Sequence, residues 1–258
     1  MEDEFLRLYP IKTRTIKIRD NLIKIILSSM KTQNLKFENN DILALTSKIV
    51  SYSEGRIIKL EDMKTSARGR KLAARYVLEP EFAELVVREA DQICGGVEKA
   101  VLTLKNGILI ANAGIDSKNA PSGHVVLWPS DPEKTVGELR EQLLKETGKS
   151  VAVMIVDSGL IPLRIGTIGL ALAVAGFQPI KDDIGKPDIF GREILITRQA
   201  VADDLACAAH LIMGESTQKT PAVVIRGAPV NFDGKVYGPK AMMMPFKECL
   251  FMNTLRFR

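Results

Sequence analysis

Three carboxylates stand where the chain could use them for chemistry: Asp116, Asp157 and Glu215. Each follows an apolar stretch that reads as a strand or helix, and each opens a polar loop with a glycine close by. Carboxylates placed at element ends face solvent or a cleft, where hard divalent cations take oxygen ligands. A magnesium ion needs only one or two protein carboxylates when phosphate oxygens and waters complete its shell, so two or three converging loops would suffice. Alone, each is an ordinary turn residue.

Other chemistries find less support. No Gly-x-x-x-x-Gly-Lys-[Ser/Thr] loop occurs, and no Gly-x-Gly-x-x-Gly follows a strand, although Gly114, Gly159, Gly166, Gly169, Gly214 and Gly227 are spread along the chain. The run Gly166–Ala171 reads as a tightly packed element face rather than a cofactor loop. His124 and His210 lack a partner at i+4 and read as core or surface residues, and no cysteine has an evident histidine partner. Met242-Met243-Met244 reads as core or interface packing.

The elements that must carry these residues follow from the pattern. Leu6–Ile11 reads as a strand, and Asp20 as the cap of a helix over Asn21–Leu27. Ile42–Leu45 is a buried strand running into Thr46–Val50, and residues 64–90 are mostly helical, with Pro80 opening a second helix. Residues 100–104 and 107–111 flank Lys105-Asn106-Gly107, a hairpin turn that delivers the chain to Asn112–Asp116. His124–Leu127 resumes a strand, and Pro132–Thr147 is an amphipathic helix closed by Gly148. Val151–Val156 is continuously apolar, the mark of a central strand covered on both faces, ending at Asp157. A polar loop at 181–192, a strand at Ile194–Thr197, a helix over Gln199–Met213 and a strand at Pro221–Arg226 complete the reading; the remainder is irregular up to a short C-terminal element. Without regular βαβ alternation the fold class is α+β with a mixed sheet, in a single domain over 1–258 or two interleaved subdomains.

Bulk properties narrow the setting. The 258 residues carry 36 basic and 31 acidic side chains, a net charge of +5 that favours small anions and is too slight for nucleic acid. The densest basic run, Arg68–Lys71 with Arg75, reads as a solvated helix face. Three separated cysteines and an acidic N-terminus without an apolar leader point to a reducing, cytoplasmic setting, and no stretch is apolar enough to span a membrane.

In combination, these segments resemble the γ-glutamyl ligases that act on coenzyme F420-0. The resemblance rests on Ser51–Arg56, on Asn112-Ala113-Gly114-Ile115-Asp116 with Asn119, and on Pro129–Pro132. It continues through Asp157-Ser158, Asp188–Glu193, Met213-Gly214-Glu215 and Pro221–Gly227. It implies two intertwined subdomains, a homodimer, and GTP as co-substrate with two Mg2+ or Mn2+ sites. By position, Asp116 and Asp157 would hold one metal, and Ser158 and Glu215 the other. Ser47, Lys48, Asn119, Met213, Gly214, Ser216 and Thr217 would line the nucleotide site with the turn at Arg14-Thr15-Ile16, and Arg164 and Arg192 would meet substrate. The implied reaction joins L-glutamate to a carboxylate acceptor such as coenzyme F420-0 through an acyl phosphate.

The chain also departs from the family pattern. Tyr52 stands where a phosphate-contacting lysine is common, with Lys48 as a nearby substitute. Ile161 and Ile165 stand where arginines are common, and Asp183 where a tryptophan is frequent. These changes leave open a folate- or pterin-like acceptor, or a non-catalytic protein binding a nucleotide or small ligand.

Overall fold

The computed structural model describes residues 5–254. In chain order the elements begin with β1 (Arg7–Ile11), α1 (Leu22–Thr32), β2 (Ile42–Thr46), α2 (Ser47–Ser53) and β3 (Ile57–Lys59). There follow α3 (Ala67–Tyr76), α4 (Pro80–Glu89), β4 (Gln92–Val97), β5 (Ala100–Lys105), β6 (Ile108–Ala111) and β7 (His124–Val126). The second half holds α5 (Pro132–Thr147), β8 (Ala152–Gly159), β9 (Ile168–Phe177), β10 (Lys181–Asp182), β11 (Arg198–Gln199), α6 (Val201–Met213), β12 (Ala222–Arg226), β13 (Phe232–Tyr237) and α7 (Leu250–Thr254).

The principal sheet has strand order β1-β12-β2-β8-β9-β13. Only β2 and β8 pair in parallel, through Ile42–Thr46 against Ala152–Val156; the other neighbours run antiparallel. The fold is α+β with a mixed sheet. Alternation along its strands separates two cores. Leu43, Leu45, Val153, Ile155 and Val224 face α1 and α5, while Ala44, Met154, Val156, Val223 and Ile225 face α6. β8 is therefore covered on both sides, as its unbroken apolar run requires.

Between β2 and β8 the chain builds a further layer. There β4, β5 and β6 form a three-stranded sheet, β3 pairs with β7, and α3 and α4 pack on a third core containing Leu72, Leu85, Val101, Ile115 and Val125. Arg68, Arg70, Lys71 and Arg75 lie on the exposed face of α3, as the charge pattern suggests.

Several expectations need correction. The α1 cap is Asn21, whose side chain accepts from Lys24 N; Asp20 instead ties Lys17 N and the Arg14 guanidinium. β8 does not end at Asp157 but continues to Gly159, because β9 supplies a hydrogen-bonding partner beyond it. Ile194–Thr197 is not a strand: Leu195 and Ile196 are exposed, and the pairing falls on Arg198–Gln199 with β10. After β12 the chain forms the edge strand β13 instead of an irregular tail, its polar sequence stabilised by pairing with β9.

Candidate active site

At the C-terminal ends of the parallel pair, β2 passes directly into α2 at Ser47 and β8 presents Asp157 and Ser158. A cavity of about 610 Å3 opens there. It takes in every residue placed at the metal and nucleotide positions: Asp116, Asp157, Ser158 and Glu215, then Ser47, Lys48, Asn119, Met213, Gly214, Ser216 and Thr217. The turn Arg14-Thr15-Ile16 closes another part of the wall. Arg164 and Arg192 do not line it; Arg164 lies in the exposed segment after β8, and Arg192 pairs with its neighbour Asp188 at 3.1 Å.

Asp116 is delivered by a tight turn. Asn112, Ala113 and Gly114 all have φ near +50 to +70°, the left-handed region that Asn and Gly enter at least cost. The strain is held by bonds to the β4–β6 sheet: Asn112 Oδ1 accepts from Val101 N at 2.8 Å, and Ala113 N donates to Thr103 Oγ1 at 2.8 Å. Asp116 then exchanges both backbone hydrogen bonds with Val126. Its Oδ1 accepts from Lys118 N at 2.7 Å, and its Oδ2 lies 2.6 Å from the Lys48 ammonium.

Asp157 is more enclosed. Its Oδ1 accepts from Ser158 N at 2.8 Å, its Oδ2 accepts the indole N–H of Trp128, and the Ser47 hydroxyl nearby adds a smaller pull on the same carboxylate. Burial pushes this carboxyl above the usual aspartate range against the pull of those three donors, and the nearby Asp116 charge adds to the rise. Glu215 sits on the loop after α6, where His210 Nε2 lies 2.7 Å from Oε1 and Thr167 Oγ1 donates to it at 3.0 Å. Burial acts to raise its pKa, but these bonds with the His210 and Lys118 charges hold it below the ordinary glutamate value.

The loop after Asp116 bridges the two walls. Lys118 O accepts from Lys48 Nζ at 2.8 Å, Asn119 O accepts from Tyr52 Oη at 3.2 Å, and Asn119 Nδ2 donates to Ser216 O at 3.2 Å. Tyr52 therefore occupies the cavity wall with its hydroxyl already engaged.

A profile of the F420-0:γ-glutamyl ligases matches residues 10–227. The chain belongs to this family. A relative from Archaeoglobus fulgidus, named coenzyme F420:L-glutamate ligase, is 37% identical over 86% of this chain and 87% of its own. Relatives of the same name from Methanopyrus kandleri and Methanothermobacter thermautotrophicus are each 36% identical, covering 91% and 88% of this chain and 92% and 90% of theirs. As a member, the chain is an enzyme of the ligase class.

Some site residues were not legible beforehand. His210 is not a bystander in the core or on the surface but a cavity-lining residue bonded to Glu215. Its position one helical turn before the α6 terminus carries that information only once the following loop folds back. Trp128 has no local motif; it follows a three-residue strand, and nothing short of the tertiary contact points it at Asp157. Gln218, Lys219 and Thr220 extend the wall past Thr217. Among the described residues no helix is long and apolar enough to cross a membrane.

Proposed function

We propose that this ligase uses GTP and two divalent ions, Mg2+ or Mn2+, to join the amine of L-glutamate to a carboxylate acceptor of the coenzyme F420-0 class. The observation that carries the reading is the gathering of Asp116, Asp157 and Glu215, from three distant parts of the chain, around one cavity.

The donor set suits hard cations. Among the described residues no three His, Cys, Asp or Glu side chains are placed to hold an ion by themselves, so a protein-only cage is absent. Asp116 with Asp157, and Ser158 with Glu215, would instead each supply part of a shell completed by phosphate oxygens and water, the usual manner for Mg2+. The Lys48 ammonium on Asp116 acts as a cation stand-in, and the charge of Asp116 felt at Asp157 is the repulsion a bound cation would relieve. When bound, the ions would neutralise phosphate charge and polarise the phosphorus for attack.

A carboxylate and an ammonium do not condense in neutral water. The acceptor carboxylate oxygen therefore attacks the terminal phosphorus of GTP, releasing GDP and leaving an acyl phosphate. The glutamate amine then attacks the acyl carbon, phosphate departs, and a proton is lost. The chain's task is to align these groups and exclude water, with Lys48 and the 213–217 loop holding phosphate and Asn119 tying the walls together. No protein nucleophile is needed.

A homodimer in the cytoplasm belongs to the same proposal. Leu163, Ile165, Ile189, Phe190, Leu195 and Ile196 are strongly exposed on two segments, apolar side chains that a second copy would cover. Light scattering tests the oligomer.

The decisive experiment for the activity is Asp116→Asn assayed for metal-dependent GTP turnover with acceptor and glutamate. Turnover should vanish; turnover at the wild-type rate would sink the metal assignment. Tight GTP binding by the wild type, without phosphate release across a panel of acceptors, would favour a non-catalytic binding role.

A further inference from the structure

We propose that Trp128 is a positioning residue for Asp157, its indole N–H holding one carboxylate oxygen so that the other coordination directions face the cavity. The inference rests on the metal reading above in one respect only, the cation that Asp157 is positioned to meet.

The carboxylate has a donor on each oxygen: Ser158 N on Oδ1 and the indole on Oδ2. A donor on each oxygen resists rotation about the Cβ–Cγ bond. An indole nitrogen can only donate, so its engagement with a charged oxygen is directional in a way that ring packing is not.

The ring itself is clamped. Trp128 is buried, and Gly114 lies against the pyrrole edge so closely that any Cβ there would collide with it. The Lys105 ammonium sits 5.6 Å from the ring centroid and is fixed by Glu89 at 2.7 Å. Arg56 Nε donates to the Trp128 carbonyl at 3.1 Å and the same guanidinium reaches Glu89.

The same short segment holds the other carboxylate. Val126 pairs with the Asp116 backbone through bonds of 3.0 and 2.8 Å. Residues 126–128 thus grip Asp116 through the main chain and Asp157 through a side chain. They set the separation of the two groups that share the first proposed ion. Outer contacts of this kind orient ligands, and their loss costs roughly 10- to 100-fold in metal affinity.

The sequence contains one tryptophan, so its emission reports on this contact directly. In metal-free protein, Asp157→Asn should shift that emission; an unchanged spectrum would overturn the contact. Mn2+ binding would then be followed by electron paramagnetic resonance with a non-hydrolysable GTP analogue present. Trp128→Phe, and replacement of Trp128 by benzothienylalanine, which keeps the ring shape without the N–H, should both weaken Mn2+ binding by roughly 10- to 100-fold. Full binding with benzothienylalanine and weak binding with phenylalanine would reveal mere packing and overturn the proposal. Full binding in both would overturn it as well. Absence of Mn2+ binding to the wild type would instead sink the metal reading, with the contact still judged by the emission of Asp157→Asn.

Discussion

Lys48 Nζ lies 2.6 Å from Asp116 Oδ2 while donating to the Lys118 carbonyl. The ammonium therefore sits on the carboxylate that would bind a divalent ion, and in the proposed reaction the phosphate of the nucleotide would draw it away. Lys48→Ala should lower kcat/KM for GTP by roughly 10- to 100-fold, about 1.4–2.7 kcal/mol of lost phosphate stabilisation. In the absence of nucleotide the same variant should bind Mn2+ at least as tightly as wild type, since a competing cation has gone. Weaker nucleotide-free Mn2+ binding in Lys48→Ala would contradict that arrangement.

Glu84 sets a pH dependence of stability. It is buried on α4, and hydrogen bonds from the Ser66 hydroxyl and backbone, with Arg88 beside it, hold its carboxyl down to about 2. A folded-state pKa below the unfolded one gives stability that is present above the unfolded glutamate range and lost as pH falls toward 2. Wild type should lose denaturation free energy over that acid window. Glu84→Gln should be less stable at neutral pH and show a shallower acid loss, as measured by urea titration at several pH values.

Gly169 on β9 faces the α6 backbone at Ala206 and Cys207 so closely that a Cβ would clash with main-chain atoms. Backbone cannot step aside as a flexible side chain does. Gly169→Ala should cost about 1–3 kcal/mol. Because α6 carries His210 and leads into Glu215, ligase turnover should fall with it. An unaltered thermal midpoint would show that α6 can shift at no cost.

At the far end of β2 from the cavity, Arg226 closes a buried pair with Asp41 at 2.8 Å, stacks 5.2 Å from the Tyr9 ring and also meets Glu38. Asp41 is fully buried, so Arg226→Met would strand an unpaired charge and should destabilise by about 3–5 kcal/mol. At a temperature where the variant stays folded, its KM for GTP should match wild type, since the pair lies a strand length from the site. A raised KM would tie this latch to the cavity.

Strong local codes survived folding intact. The helix Pro132–Thr147 has its expected bounds, with Asp131 capping its start and Gly148 turning left-handed at its end. The hairpin at Asn106-Gly107 and the doubly covered β8 follow from turn chemistry and an unbroken apolar run. Weak codes did not survive. Ile194–Thr197 has strand-like residues but meets residues 183–186 through scattered backbone bonds at its two ends instead of a ladder, whereas Phe232–Tyr237 has polar residues and becomes a strand because the β9 edge is free to pair.

The site divides in the same manner. The residue types at Asp116, Asp157, Ser158 and Glu215, and their order in a family pattern, are properties of the chain read in one dimension. Local chemistry also explains why Asn112 and Gly114 can make the turn before Asp116. What brings those residues around one cavity is the parallel pairing of β2 with β8 across more than a hundred residues, and the return of the Asn119 loop to Ser216. No local pattern encodes such contacts, because their stability comes from burial shared by segments far apart in sequence. The same tertiary closure put Trp128 on Asp157, moved His210 into the wall, and left Arg164 and Arg192 outside it.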